Sequence, residues 1–319
     1  MTFHYYLLVN PAAGGGNGKR ISEQLVSLLN KHNYLFTTYL TQYPNHELEI
    51  VADLAINSLR PFESEDSNEP FPLLIVVGGD GTLHQVINQL KMMAIELPIA
   101  YIPAGSGNDF ARGIGLSRDA KQAFQRIIQT TQPREVNILT YEEAIQEQMG
   151  ISVNNVGIGL DAAIVHRTNH STTKENLNKY NLGSLSYIAS VLHVLFKQKG
   201  FPILVEANGK TYQYDKAFLC TTTNHPYFGG GVPLAPMAAI EKATLDFVVV
   251  ERIPLYKIFW LIFLLFRKKH HLSKYYHHLS CTKLRIVSPT PQFSQADGEE
   301  LGKGPYDISL TLTQQLFLA

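Results

Sequence analysis

The sequence predicts an α/β protein, an open parallel-sheet domain followed by a β-rich one, and three observations carry that prediction. The first is Leu73-Leu74-Ile75-Val76-Val77-Gly78-Gly79-Asp80-Gly81-Thr82, an apolar run stopping at paired glycines as a buried parallel strand does on entering a tight turn. The second is that similar runs at Tyr5 to Val9, Tyr34 to Leu40 and Pro98 to Pro103 alternate with helix-periodic stretches, which is how βαβ units read. The third is a change near residues 130 to 140, beyond which the apolar segments are short and often β-branched.

Taken in order, Tyr5 to Val9 ends at Asn10-Pro11 and runs into Ala12-Ala13-Gly14-Gly15-Gly16-Asn17-Gly18-Lys19-Arg20, after which Ile21, Leu25, Leu28 and Leu29 hold one helix face. Strand, glycine-rich loop and helix is the outline of a phosphate-binding turn. It is not a P-loop, which needs Gly at 13 and Ser or Thr at 20, where Ala13 and Arg20 stand. Nor is it a dinucleotide fingerprint, whose third glycine would fall at Lys19. A plain surface loop is the competing reading.

Tyr34 to Leu40 reads as the second strand, with Thr41 at its exit, and Glu47 to Arg60 as a helix with Ile50, Val51, Leu54 and Ala55 inward. Residues 61–70 are acidic and proline-bounded, a solvated loop. In the third turn Gly78, Gly79 and Gly81 permit φ > 0 and close backbone approach. Thr82 is placed to cap the helix that Leu83, Val86, Ile87 and Leu90 propose. Asp80 is then the one charge at a strand's carboxyl end, the edge where open α/β sheets bind ligands. The fourth strand exits into Ala104-Gly105-Ser106-Gly107-Asn108-Asp109-Phe110-Ala111-Arg112, where Asn108-Asp109 can cap a further helix. Four glycine or hydroxyl turns delivered to one edge point to a nucleotide site rather than to coincidence.

Composition bounds the function classes. A chain of 319 residues with 45% hydrophobic and 17% charged residues is ordinary for a two-domain globular protein. Zero formal net charge asks for no nucleic acid. Cys220 and Cys281 form no CxxC pair, so neither a disulfide framework nor a zinc site is suggested. With no signal peptide at Met1-Thr2-Phe3-His4, a cytoplasmic protein is expected.

The second half begins after a helix near Arg118 to Gln129. Its expected strands are Glu135 to Tyr141, Ile151 to Asn155, Ile203 to Val205, Lys216 to Leu219, Leu245 to Val250 and Lys283 to Val287. Leu185, Ile188, Leu192 and Leu195 keep helical spacing up to Gly200, a helix expected to pack on the sheet. Ile258 to Phe266 is wholly apolar and is followed by Arg267-Lys268-Lys269-His270-His271. It is too short for the roughly 20 residues of a membrane-crossing helix. It reads as a buried helix or as a basic-flanked segment touching a membrane surface, and burial is preferred because an exposed apolar face invites aggregation. His270, His271, His277 and His278 read as a solvated basic helix end, with no carboxylate or cysteine to complete a metal site. Asp297-Gly298 reads as a hairpin tip beside Glu299 and Glu300.

Asn10-Pro11 with its glycine loop, Gly78-Gly79-Asp80-Gly81-Thr82, and Pro103 to Ala111 together resemble the diacylglycerol kinase catalytic-domain family. That family also includes related bacterial lipid kinases and the sphingosine and ceramide kinases. Asn154 to Ala162, Gly183-Ser184-Leu185-Ser186-Tyr187 and Tyr227-Phe228-Gly229-Gly230-Gly231 resemble its second-domain motifs, so nearly the whole chain is matched. The resemblance implies an NAD kinase/diacylglycerol kinase-like fold. A Rossmann-like three-layer ATP-binding domain would span residues 1–135 and a β-sandwich lipid domain residues 136–319, with the last residues packing back on the first.

It further implies an ATP- and Mg2+-dependent lipid kinase, with diacylglycerol the foremost acceptor. ATP would be held by Asn10, Pro11, Ala12, Ala13, Gly14, Thr41, Gly78, Gly79, Asp80, Gly81, Thr82, Leu83, His84 and Ser106. Glu299 would be the catalytic carboxylate alongside Asp80, and Asp80, Asp109 and Asp246 the metal-linked carboxylates. Relatives carry an Asp-Asp-Gly run before the residue matching Asp246, where this chain has Glu241-Lys242-Ala243, which puts a separate structural magnesium in doubt. Peripheral contact with a membrane and a homodimer are the expected associations. An NAD kinase-like enzyme and a non-catalytic nucleotide-binding regulator are the alternatives.

Overall fold

The computed structural model describes residues 2–62, 69–170 and 191–319. The chain divides into two units, Met1–Ile138 with Tyr227–Gly231 and Thr313–Ala319, and Leu139–Pro226 with Val232–Leu312.

In the first unit the apolar runs form β1 (Phe3–Val9), β2 (Leu35–Leu40), β3 (Phe71–Gly78) and β4 (Ile99–Pro103). They pair in the order β2-β1-β3-β4, all parallel. Strand side chains alternate between faces, and both faces are covered. Leu73, Ile75 and Val77 pack with Ile21, Leu25 and Leu29 of α1 (Ala13–Lys31) and with Phe124 of α5 (Ala120–Gln129). Helices α2 (His46–Asn57) and α3 (Asp80–Met92) pack on each other and bury Ile50, Val51 and Leu54 of one and Leu83, Val86, Ile87 and Leu90 of the other. The result is the three-layer α/β arrangement. The pairs Val9↔Leu40, Val9↔Val77 and Gly78↔Pro103 bring all four strand exits to one edge. At the chain's end Phe317 pairs in parallel with Ile99, and Gln315 Nε2 donates to the Leu97 carbonyl at 2.8 Å.

The second unit is a β-sandwich. From β5 (Arg134–Glu143) onward the strands are β6 (Gln148–Ser152), β7 (Asn155–Gly159), β8 (Phe201–Ala207) and β9 (Lys210–Thr223). After the two-residue strands β10 (Tyr227–Phe228) and β11 (Val232–Pro233) come β12 (Leu245–Glu251), β13 (Tyr276–Cys281), β14 (Leu284–Ala296) and β15 (Glu299–Phe317). Helix α6 (Leu160–His170) follows β7. The long strands β9 and β14 each pair with β8 along one half and with β7 along the other. A register irregularity between Ser288 and Gln292 lets β14 turn from one layer to the next. Ile158, Phe201, Ile203, Phe247, Val249, Ile286, Tyr306 and Ile308 fill the space enclosed, together with the two cysteines.

Several expectations are corrected here. The single strand expected over Ile151 to Asn155 is broken, because the amides of Val153, Asn154 and Asn155 turn out of the ladder toward the Asp297 carboxylate. Lys216 to Leu219 is only the middle of β9, whose polar first half offers no apolar run. His277 and His278 lie on β13 rather than a helix end, and carboxylates do face them: Glu251 lies 2.8 Å from His277 Nε2 and Asp246 2.7 Å from His278 Nε2. His270 is buried, its Nε2 at 2.9 Å from the Leu234 carbonyl. The run Ile258 to Phe266 is indeed helical, within α7 (Leu255–Phe266), yet it is not a buried helix. Only Ile258 and Leu261 are buried, while Trp260 is 60% and Phe266 78% exposed. The Gly183–Tyr187 motif lies outside the described residues, as do Leu185 and Ile188; of the same expected face, Leu195 is buried and Leu192 exposed. Among the described residues no helix is long and apolar enough to cross a membrane.

Candidate functional site

In the first unit the four turns interlock through groups the sequence places at their tips. Asn10 donates from Nδ2 to Thr82 Oγ1 at 3.0 Å, and its Oδ1 accepts from the Ala12 amide at 3.1 Å, tying the first turn to the third. Gly14, Gly15 and Gly16 take positive φ, so the regular part of α1 starts only after them. Gly14 is required twice over, since a Cβ there would sit 2.3 Å from the Ala104 carbonyl oxygen. Asn17 Nδ2 donates to that same carbonyl at 3.1 Å, which joins the first turn to the fourth. Gly79 and Gly105 touch backbone to backbone, a Cβ on Gly105 coming within 2.7 Å of Gly79 Cα. Thr41 is buried, its amide bonded to the Val9 carbonyl at 2.9 Å.

Asp80 is the hub. Its carboxylate accepts from the amide of Asp109 at 2.9 Å and from that of Phe110 at 3.4 Å, so the first residue of α3 caps the short helix α4 (Asp109–Gly113). This corrects two expectations about caps. Asn108 stands at the helix start in a left-handed conformation and makes no side-chain cap, donating instead to the Gly105 carbonyl at 2.8 Å. Thr82 lies inside α3, where its hydroxyl accepts from Asn10. Leu83 and His84 are buried beside it, and Ser106 is exposed at the tip of the fourth turn. Burial, with the charge of Asp80 added, holds the Tyr101 phenol well above its ordinary range, and its hydroxyl donates to the Gly78 carbonyl at 3.2 Å.

Asp109 is committed to the fold. Oδ1 takes Arg112 Nη1 at 2.6 Å and Oδ2 takes the Gly230 amide at 2.7 Å, while the Arg112 guanidinium lies over the Tyr227 ring. Magnesium takes hard oxygen donors. Asp109 fits a loop anchor better than a metal ligand, since its charge is paired with the Arg112 guanidinium and its second oxygen holds the Gly230 amide. Asp80 offers the same hard carboxylate oxygens, oriented by the neutral amides of Asp109 and Phe110 rather than by a guanidinium.

In the second unit Asp297-Gly298 forms the two-residue hairpin between β14 and β15, with φ of +53 and +91 and with Ala296 opposite Glu299. Asp297 accepts from the Ser152 hydroxyl and from the amides of Val153, Asn154 and Asn155. Gln295 reaches both ways, accepting from the Gly298 amide at 2.7 Å and donating to Asp161 at 3.1 Å. Burial pushes the Asp161 carboxyl up to about 6, offset by Gln295 and by the amides of Ala162 and Asp161 itself. Sequence reading passed over this function of Asp161 and Gln295, whose only signal was membership of the motifs at 154–162 and 295–300. Glu299, held at the tip of this network, is exposed. Asp246 is buried on β12 beside His278, and its Oδ2 is enclosed without a hydrogen-bond partner, an orphan that a water or a cation would satisfy.

An α/β unit presenting glycine turns at its carboxyl edge, joined to a β-sandwich, defines the class of two-domain kinases to which diacylglycerol and NAD kinases belong. Residues 4–141 match the family model of the diacylglycerol kinase catalytic domain, and residues 154–315 match the YegS C-terminal NAD kinase beta sandwich-like domain. The chain belongs to this diacylglycerol kinase catalytic-domain family. It is 29% identical over 311 residues, 96% of each chain, to "Putative lipid kinase YtlR" of Bacillus subtilis. It is 25% identical over 244 residues to a "Putative lipid kinase" of Staphylococcus aureus, covering 75% of this chain and 74% of that one. Among solved structures, a diacylglycerol kinase from Bacillus anthracis aligns over 99% of this chain and 96% of its own, with a TM-score of 0.66 at 19% identity. Yeast NADH kinase complexed with NADH aligns over 99% and 83%, with a TM-score of 0.52 at 10% identity. At these identities the two structures speak for the fold alone.

Proposed function

We propose that the protein is an ATP- and Mg2+-dependent lipid kinase that transfers the γ-phosphate to the hydroxyl of diacylglycerol. Family membership supports a lipid-kinase-type enzyme, and one structural observation carries the lipid acceptor: the exposed apolar face of α7. Tyr256, Phe259, Trp260, Phe263 and Phe266 point to solvent on a helix that ends at Arg267-Lys268-Lys269. An apolar face with a cationic end suits the surface of an anionic membrane, where a diacylglycerol must be collected. The buried side of the same helix lines an apolar cavity of about 100 Å³ with Leu160, Leu195 and Phe218, and with His270 and Tyr276 on its wall. Such a space takes acyl chain rather than a dinucleotide.

In this reading the backbone amides and glycines of the turns at Asn10–Gly14 and Gly78–His84, with Thr41 and Ser106, bind the triphosphate. When bound, Mg2+ at Asp80 would neutralise charge on the transferred group. Glu299 orients the acceptor hydroxyl and takes its proton as the new P–O bond forms, which asks for a free, ionised carboxylate. Asp246 belongs to a water and metal network within the second unit. The protein works in the cytoplasm, peripherally on the membrane.

The test is incubation with Mg2+, ATP and vesicles containing diacylglycerol within a total lipid extract, NAD being offered in a parallel reaction. Mass spectrometry should find phosphatidic acid as the product, absent with Glu299→Gln. Phosphorylation of NAD instead would overturn the lipid reading, and ATP binding without transfer to either would leave a nucleotide-binding regulator. Vesicle flotation with Trp260→Asp and Phe263→Asp addresses the membrane separately. Binding equal to that of the parent chain would remove α7 from the argument.

A further inference from the structure

We infer that His166, His170 and Glu300 form a binding site for a divalent transition ion of the zinc class, distinct from the magnesium of phosphoryl transfer. The two histidines lie four residues apart on the last turns of α6, so they project from the same face. Glu300, second residue of β15, reaches both, with Oε2 at 2.7 Å from His166 Nδ1 and Oε1 at 3.4 Å from His170 Nδ1. The three ligand atoms all lie within 4.8 Å of one another. A zinc ion bonded at about 2.0–2.2 Å to each donor requires His170 to give up the contact of its Nδ1 with the His166 carbonyl at 2.9 Å or to turn its other ring nitrogen to the ion.

Two neighbours hold the ligands as supporting groups do in metal sites. Asn169 Nδ2 donates to Glu300 Oε1 at 3.0 Å, and the Phe293 ring stacks on His166 with centroids 4.2 Å apart. Two imidazoles and one carboxylate select zinc, cobalt or nickel over magnesium, whose preference is for oxygen alone. Three protein ligands leave a fourth position for water, and all three side chains reach solvent, so an ion can enter. Occupancy ties the end of α6 to the start of β15, one residue from Glu299. The competing account is a set of His–Glu ion pairs that binds nothing.

The experiment titrates full-length protein, stripped with chelator and desalted, with Co2+ and then Zn2+, by calorimetry and by the visible absorption of bound cobalt. One equivalent of Co2+ should bind with a dissociation constant in the micromolar range or tighter. Zn2+ should displace it and millimolar Mg2+ should not. His170→Gln and Glu300→Gln should each weaken binding about tenfold or more, with metal-free melting temperatures close to that of the parent, while His271→Gln changes nothing. Zn2+ should raise the melting temperature of the parent chain and not of those two variants. No stoichiometric binding, or affinity unaltered by both substitutions in folded protein, would overturn the site.

Discussion

Asp297→Ala removes the acceptor for the Ser152 hydroxyl at 2.6 Å and for the amides of Val153, Asn154 and Asn155 at 2.6, 2.8 and 3.0 Å. A hydrogen bond to a charged acceptor contributes about 1.5–3 kcal/mol, so a plain sum over these donors is about 6–12 kcal/mol. That sum overstates the loss, because the donors share one carboxylate and act as a unit. Asp297 is only half-buried, so water can reach some of the amides once the side chain is gone, whereas Ser152 and Val153 are fully buried. A net loss of about 3–5 kcal/mol is expected. Part of it, about 1 kcal/mol, comes from placing alanine at φ +53. Asp297→Gly loses the same carboxylate without that strain and should fall about 1 kcal/mol less. Urea unfolding followed by circular dichroism measures both. A loss under about 1 kcal/mol for Asp297→Ala would show that the carboxylate does not organise the turn.

Other substitutions test the remaining joints. Asp80→Asn keeps one acceptor for the Asp109 amide and loses the charge, so stability should fall by about 1–2 kcal/mol and phosphoryl transfer by about a thousandfold; transfer within tenfold of the parent would end its catalytic assignment. Gly14→Ala meets the Ala104 carbonyl at 2.3 Å, whereas Gly15→Ala meets nothing within 4 Å at a similar φ. Calorimetry with ATP should therefore show the first losing much more affinity than the second, and equal losses would contradict the packing. For Asp161 the folded carboxyl lies at about 6 against an ordinary 3.8, raised mainly by burial. Its favourable contribution is complete below 3.8 and lost as pH rises through about 6, a swing of about 3 kcal/mol at 1.36 per unit. Melting curves of the parent minus those of Asp161→Asn should carry this slope, opposite in sign to that of the arginine-paired Asp307, whose carboxyl is held down. A flat difference would contradict the assignment.

How much was legible depended on how local the signal was. The first unit was readable because a buried parallel strand is a continuous apolar run and its exit glycines are adjacent in sequence: Leu73 to Gly79 became β3 and its turn, and Tyr5 to Asn10 became β1 and its exit. In the sandwich the strands are half exposed, so no strand is expected over Lys210 to Asp215, and His277 and His278 read as a solvated basic helix end, whereas pairing with β8 and β12 makes both segments strands. For α7 the sequence left burial and an exposed, basic-flanked face both open and favoured the wrong one. Trp260 and Ile258 are equally apolar letters, and only packing against Leu195 and Phe218 decides which of them is covered.

The sequence by itself determined the family, the α/β and β-sandwich division of the fold, and which residues stand at the tips of the phosphate-type turns, because all three rest on short contiguous patterns. Tertiary structure decided which partner each polar group takes. Asp80 caps a helix that starts 29 residues later, Asp297 captures amides more than 140 residues earlier, and Glu300 meets His166 across 134. No periodicity encodes those pairings, since a carboxylate's partner is chosen by the strand register and helix packing that bring distant backbone to it.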